Sequence, residues 1–272
     1  MITWPKKSSR SWWRVPLCCA LAVPCASAWP AEPSWPDIES RIQYGYFTED
    51  TRSLRALLEP LSGEDSGNGL KSYYAGLLSY RLTELAQAGA ASAAGKPPTS
   101  GAQTADKSAA RQMAGRCVEA LDRALALRSD FADALALQSA CLGELAELGS
   151  WRAPLAAQKS ASQLRKALQA APQNPRVLLL EAVHEYQHAK VPAGDAEQAC
   201  GKFRKTAETF EAERAQVDQV PGWGAAEAYT WLGRCYLDSG ETVMARDALE
   251  RALLIAPEFG QARRLLTTIT SG

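Results

Sequence analysis

The stretch from Ala225 to Pro257 constrains the fold more than any other part of the chain. Each of its two halves repeats apolar or small residues at helical spacing, so that they share one face of a helix. These faces hold Tyr229, Leu232, Gly233 and Tyr236, then Ala245, Ala248, Leu249 and Ala252. Asp238-Ser239-Gly240 supplies turn residues between the halves, and Pro257 cannot extend the second helix. The sequence therefore predicts two helices in a tight hairpin, whose backbones approach closely at Gly233 and Ala245.

This stretch resembles the tetratricopeptide repeat (TPR), which has an aromatic residue, Leu-Gly, Tyr, Ala, a large apolar residue, Ala and Pro at set spacings. The eight places are held by Tyr229, Leu232, Gly233, Tyr236, Ala245, Leu249, Ala252 and Pro257. The resemblance implies an all-α, TPR-like solenoid, because one such hairpin cannot bury its apolar face alone and must stack on neighbours.

Weaker repeat signals extend the resemblance over about residues 108–270. Helices are predicted over 131–148 and 155–170, and again over 175–190 and 195–214. With 225–257 this gives about three helix-turn-helix repeats, and 258–270 is predicted to be a C-terminal capping helix. The composition agrees, since Ala and Leu dominate while β-branched residues are sparse.

The N-terminal region is predicted to contain four further segments. Residues 1–28 read as a secretory signal peptide, residues 29–36 as a Pro-rich flexible segment, and residues 37–88 as an N-terminal helical hairpin that caps the repeats. Residues 89–107, rich in Ala, Gly, Ser and Pro, are predicted to be a flexible linker before the repeats of 108–270.

The signal-peptide prediction rests on a basic leader, an apolar run and a small-x-small cleavage site ending at Ala28. The leader residues are Lys6, Lys7, Arg10 and Arg14. The apolar run from 15 to 25 is too short to span a bilayer. Cys25 raises the alternative of a lipoprotein, but Pro24 stands where that signal has Gly or Ala. We therefore expect an exported, periplasmic protein.

Charge and glycine pattern exclude several functions. The full chain has 30 basic and 30 acidic residues, and removal of residues 1–28 takes away four basic residues and leaves a net charge of −4. Such a surface does not favour nucleic acid. The sequence has no Walker-type or dinucleotide glycine motif, so no nucleotide cofactor is expected.

Four cysteines remain after the signal peptide: Cys117, Cys141, Cys200 and Cys235. In the repeat register, Cys117 and Cys141 each lie twelve residues from Ser129, which places them at one level of an antiparallel helix pair. Cys200 and Cys235 have the same relation across a later loop. Since oxidising compartments favour disulfides, both pairs are predicted to link the second helix of one repeat to the first helix of the next. The alternative is four small buried hydrophobic residues.

One motif points to chemistry. The sequence His184-Glu185-Tyr186-Gln187-His188 matches H-E-x-x-H, in which His184 and His188 could bind one zinc ion and Glu185 could activate its water. The motif lies inside a repeat helix with charged Glu181 and Lys190 nearby, and no third ligand stands in a matching pattern. We therefore interpret the two histidines as ordinary helix residues, with a zinc-dependent peptidase as the alternative.

The TPR resemblance implies a concave groove, lined by the first helix of each repeat, that binds a peptide or a partner protein. By this resemblance the groove residues are Arg176, Leu179, Val183, Tyr186, Gln187, Glu227, Thr230, Arg234, Leu237 and Asp238. The expected function is that of a non-catalytic adaptor or scaffold in the cell envelope. An obligate structural subunit of an envelope complex is a further alternative, and the sequence leaves the partner and the oligomeric state open.

Overall fold

The part of the chain that the structure describes is helical outside its turns. A computed structural model describes residues 34–65, 67–93, 100–149, 152–188, 196–213 and 220–270, with the backbone alone for 90–93, 100–106, 188 and 196–199. The helices are α1 (Trp35–Phe47), α2 (Thr51–Leu61), α3 (Leu70–Ala93), α4 (Ser100–Leu127), α5 (Ala132–Glu147), α6 (Ala153–Ala170), α7 (Pro175–His188), α8 (Ala196–Glu213), α9 (Ala225–Asp238), α10 (Thr242–Ile255) and α11 (Gly260–Thr270).

These helices form stacked antiparallel hairpins, which confirms the predicted all-α, TPR-like solenoid. The three predicted repeats are α5–α6, α7–α8 and α9–α10, and α11 packs on the last of them. The odd-numbered helices from α3 to α11 are the inner helices: α3 neighbours α5, α5 neighbours α7, and α9 neighbours α11. The even-numbered helices α4 to α10 are their outer partners.

The N-terminal region departs from its predicted organisation. Helix α3 pairs with α4 and neighbours α5, so it is the inner helix of a fourth hairpin and not part of a separate cap over 37–88. The predicted linker 89–107 is largely helical, since α3 continues to Ala93 and α4 begins at Ser100. Its many alanines favour helix, and pairing of α3 with α4 supplies the tertiary support that an isolated helix lacks.

Helix α1 begins at Trp35, inside the predicted flexible segment 29–36. Ser34 and Asp37 form a capping box at its start, and Pro36 lies in the first turn, where a missing N–H costs nothing. The predicted signal peptide, residues 1–28, lies outside the described residues.

The last hairpin packs as its repeat pattern predicts. Leu249, Ala245 and Ala252 are fully buried in it. A Cβ atom at Gly233 would stand 2.6 Å from Cγ of Leu249, so only glycine permits this approach of α9 and α10.

Both predicted disulfides are present. Cys117–Cys141 joins α4 to α5 and Cys200–Cys235 joins α8 to α9, with Cα–Cα distances of 6.2 and 5.6 Å. Each links an outer helix to the inner helix of the following hairpin, as the repeat register predicts. None of the described helices is both long enough and apolar enough to cross a bilayer.

Candidate functional site: the mouth of the concave face

The structure buries half of the predicted groove residues. Those with at most 6 % of their surface exposed are Arg176, Leu179, Val183, Glu227 and Thr230. Tyr186 and Leu237 are partly buried, and Gln187, Arg234 and Asp238 are exposed. The groove of ten residues is therefore not one continuous surface, and its central part belongs to the protein interior.

Helix α1 and the inner helix α3 fill this central part. The Glu39 carboxylate in α1 accepts hydrogen bonds from the Tyr74 hydroxyl, at 2.7 Å, and from the Gly222 backbone N–H, at 2.9 Å. Gln43 Nε2 donates to Glu227 Oε1 at 3.1 Å. The rings of Phe47 and Phe259 lie 4.5 Å apart at the other end of α1. The first helix of the described chain thus occupies the concave face of the last hairpin.

A buried ion pair closes the contact between α3 and α9. Arg81 donates to Glu227, 146 residues further along the chain, and also to Glu84 at 2.9 Å. Nearby, Trp223 Nε1 donates to the Tyr73 hydroxyl at 2.7 Å, which places this loop tryptophan in the core at 2 % exposure. Arg176 is likewise held inside the protein, since its guanidinium pairs with Asp133 and Glu213. These charged groups are paired with one another in the interior and are not available to a partner.

The concave face remains open at one end, in a cavity of about 290 Å³ that we call the concave mouth. All the inner helices contribute to it, together with α1. Its lining residues are Tyr46, Glu49, Glu84, Leu85, Gln87, Ala88, Glu144, Gln187, Trp231, Arg234, Phe259, Gln261 and Arg264. Gln187 and Arg234 are the two predicted groove residues among them.

One wall of the concave mouth is acidic. Glu84 on α3 is bound by Arg81, and burial raises the pKa of its carboxyl against the opposing effects of Arg81 and the Tyr46 hydroxyl. Glu144 on α5 is 7 % exposed and accepts a hydrogen bond from Gln87 Nε2. Burial raises the pKa of Glu144 to about 7, and the nearby charges of Glu84 and Glu147 act in the same direction.

The part of the concave mouth contributed by α9 and α11 is aromatic and basic. The Trp231 ring stacks on Phe203, with centroids 6.0 Å apart, and the Arg234 guanidinium lies 5.4 Å from the Trp231 centroid. Arg264 pairs with Glu49 at 2.5 Å across the rim. The concave mouth therefore combines aromatic, basic and acidic side chains.

The H-E-x-x-H residues point to different neighbours. Glu185 pairs with Lys202 on α8 at 2.5 Å. His184 is half-buried and lines a small cavity with Tyr80, Glu144 and Glu147. The side chain of His188, at the end of α7, is outside the described side chains. Within the described residues, no group of three or more His, Cys, Asp or Glu side chains is placed to hold a metal ion.

A second cavity, of about 600 Å³, lies where α5 and α7 begin and α8 ends. Its charged lining residues are largely paired with one another: Arg176 binds both Asp133, at 2.6 Å, and Glu213, at 2.7 Å. Arg128 lies over the Phe131 ring, 3.3 Å from its centroid. The arginine at the centre of this cavity, Arg176, is therefore already engaged by carboxylates of the protein.

Glu144, Glu84 and Trp231 line the concave mouth but are not among the residues predicted from the sequence. Glu144 on α5 and Gln187 on α7 hold the same position of the repeat, near the C-terminal end of each inner helix. Extending the repeat register to these helix ends would have identified Glu144. No comparable signal identifies the contribution of α1, because α1 lies outside the repeat pattern.

No protein-family model matches the chain, and no curated protein matches it. Among solved structures, the chain is similar to the Assembly Chaperone of RpL4 (Acl4), residues 1–338, at 13% sequence identity and a TM-score of 0.35. The match covers 88% of this chain and 96% of that chain. A TM-score this low supports no inference about function, which has to be inferred from the side chains of the site.

Proposed function

We propose that the protein is an exported, non-catalytic interaction adaptor of the cell envelope, and that it binds a segment of a partner protein in the concave mouth. The observation that carries this proposal is the lining of the mouth. The partly buried Trp231 provides aromatic surface, while Arg234 and Glu144 provide charges of opposite sign. Aromatic and arginine side chains around a concave surface are typical of sites that bind protein segments.

Export is supported by two independent features. The N-terminal pattern ending at Ala28 is that of a signal peptide, and the two disulfides are of a kind that persists in oxidising compartments. N-terminal sequencing of the protein from a periplasmic extract should give Trp29 as the first residue. A chain that keeps residues 1–28 and is recovered in the cytoplasm would refute this part of the proposal.

The adaptor function can be tested without knowing the partner. Peptides selected from a random display library against the mature chain should bind in the concave mouth, and Arg234→Glu should weaken them at least about tenfold. Arg123→Glu, an equivalent change at an exposed position of the outer helix α4, is the matched control. Selected peptides that bind both variants equally, or a selection that yields no binders, would count against the concave mouth as the binding site.

A further inference from the structure

Helix α1 lies on the concave face in the way that a helical ligand lies in a groove. Four of its residues stand at positions i, i+3, i+4 and i+7, which share one side of a helix: Glu39, Ile42, Gln43 and Tyr46. Glu39, Ile42 and Tyr46 are buried, with at most 8 % of their surface exposed, and Gln43 is partly buried. This spacing is typical of helices that bind in the groove of another protein.

The concave face meets these residues with matching chemistry. The hydrogen bonds of Glu39 and Gln43 tie α1 to α3, to the loop before α9 and to α9 itself. The Tyr46 ring covers the Arg81 guanidinium, whose central carbon lies 4.1 Å from the ring centroid. The same ring lies against Phe259, with the centroids 5.7 Å apart. The face under α1 therefore offers donors to an acid, an acceptor to an amide, and a cation and a ring to an aromatic side chain.

The hairpins of the solenoid are held together without α1. Helices α3 to α10 pair with one another, α11 packs on the last hairpin, and both disulfides lie between α4 and α9. Helix α1 has 13 residues, too few for a stable helix on its own, so its order depends on docking. The turn that joins it to α2 holds Glu49 at a φ of 59°, a conformation that is unfavourable for a residue with a side chain.

Helix α1 also shields charge from water. Arg81 and Glu227 form an ion pair in which neither residue has more than 3 % of its surface exposed, and Tyr46 and Gln43 cover this pair from the side of α1. Burial of an ion pair has a desolvation cost, and the pair regains water when α1 leaves. This cost opposes the apolar contacts that hold α1. We therefore expect α1 to open with less free energy than the whole chain needs to unfold.

We propose that α1 occupies a helix-binding groove as an intramolecular ligand, and that a partner helix binds there by displacing α1. This inference rests on the proposed function and specifies the partner. The partner is an amphipathic helix with an acid, an aliphatic residue, an amide and an aromatic residue at the spacing of α1. Tyr46 and Glu49 line the concave mouth, so a segment bound in the mouth lies against the end of α1. The mouth is then the entrance to this longer groove.

Amide hydrogen exchange of the full, oxidised chain, followed by NMR, tests whether α1 opens by itself. The amides of α1 should exchange at least about 100-fold faster than those of α9, because α1 leaves while the hairpins stay closed. Exchange of α1 as slow as that of α9 overturns the inference. This measurement uses the wild-type chain and does not depend on a variant that folds.

A synthetic peptide of residues 34–48 tests whether the groove accepts a helix from outside. It should bind the wild-type chain weakly, because it competes with a tethered copy of itself. Glu39→Ala and Gln43→Ala loosen α1 in the protein, and each should strengthen binding of the unchanged peptide at least about tenfold. Glu59→Ala, at an exposed position on α2, is the control and should bind as the wild type does. Equal binding by all four chains, or binding by none, overturns the inference.

The remaining outcomes separate this inference from the adaptor function and from a second copy of the chain. A display-selected peptide that depends on Arg234 should speed the exchange of α1 when it is bound. Unchanged exchange under such a peptide overturns displacement and leaves the adaptor function standing. A selection without binders, with 34–48 still bound more tightly by the loosened chains, removes the mouth as the site and supports the groove. Loosened chains that dimerise in light scattering by exchanging α1 would overturn the assignment to a different partner.

Discussion

Replacing Glu144 with Gln should stabilise the protein, and the gain should depend on pH. The folded protein raises the pKa of this carboxyl from 4.5 to about 7. The native state therefore keeps the proton up to about pH 7, whereas the unfolded state loses it near pH 4.5. As pH rises between these values, the wild-type chain loses stability through this group, and glutamine at position 144 does not.

The expected size follows from the same pKa values. A pKa change of one unit corresponds to about 1.4 kcal/mol, so Glu144→Gln should gain about 3 kcal/mol at pH 8 and about 1 kcal/mol or less at pH 5. Glutamine can still accept the hydrogen bond from Gln87. For a chain of this length the gain at pH 8 corresponds to a rise in Tm of about 6–12 °C.

Thermal or urea unfolding of both chains at pH 5 and pH 8 measures this difference, with Glu119→Gln as the control for a change at an exposed site. An equal effect at both pH values would refute the reasoning, as would destabilisation by Glu144→Gln at pH 8.

Three further changes test the fold. Replacing Cys200 and Cys235 with Ser should lower the free energy of unfolding in urea by about 3–4 kcal/mol, because the disulfide closes a loop of 35 residues. The same urea midpoint for the wild type and the variant would contradict this. Gly233→Ala should lower the free energy of unfolding by about 1–3 kcal/mol, because the new Cβ would overlap Leu249. Gly115→Ala on α4, where a Cβ meets nothing within 4 Å, is the control and should leave the free energy of unfolding unchanged or raise it by up to about 1 kcal/mol. Glu227→Ala should cost about 3–5 kcal/mol, because it leaves the buried Arg81 guanidinium without its partner on α9. A loss below 1 kcal/mol in the same assay would mean that the packing of α3 on α9 does not depend on this ion pair.

Much of the fold could be predicted because it depends on residues that are close in sequence. The contacting faces of α9 and α10 follow from a 3.6-residue period and from small residues where the backbones meet. The disulfides could be paired for the same reason, since Cys117 and Cys141 are equidistant from one turn. Helix ends were less predictable: α3 reaches Ala93 in a segment whose composition suggested a linker, although its alanines also favour helix.

The candidate site could be predicted only in part. Of the ten groove residues predicted from the sequence, only Arg234 and Gln187 line the concave mouth. The sequence by itself determined the three hairpins from α5 to α10, their inner and outer helices and the disulfide partners. Only the tertiary structure decided that α1 lies in the groove, that Arg81 meets Glu227, and that Glu144 is buried at the concave mouth. The physical reason is that each hairpin is specified by local periodicity, whereas the meeting of distant inner faces depends on small rotations that accumulate from one hairpin to the next.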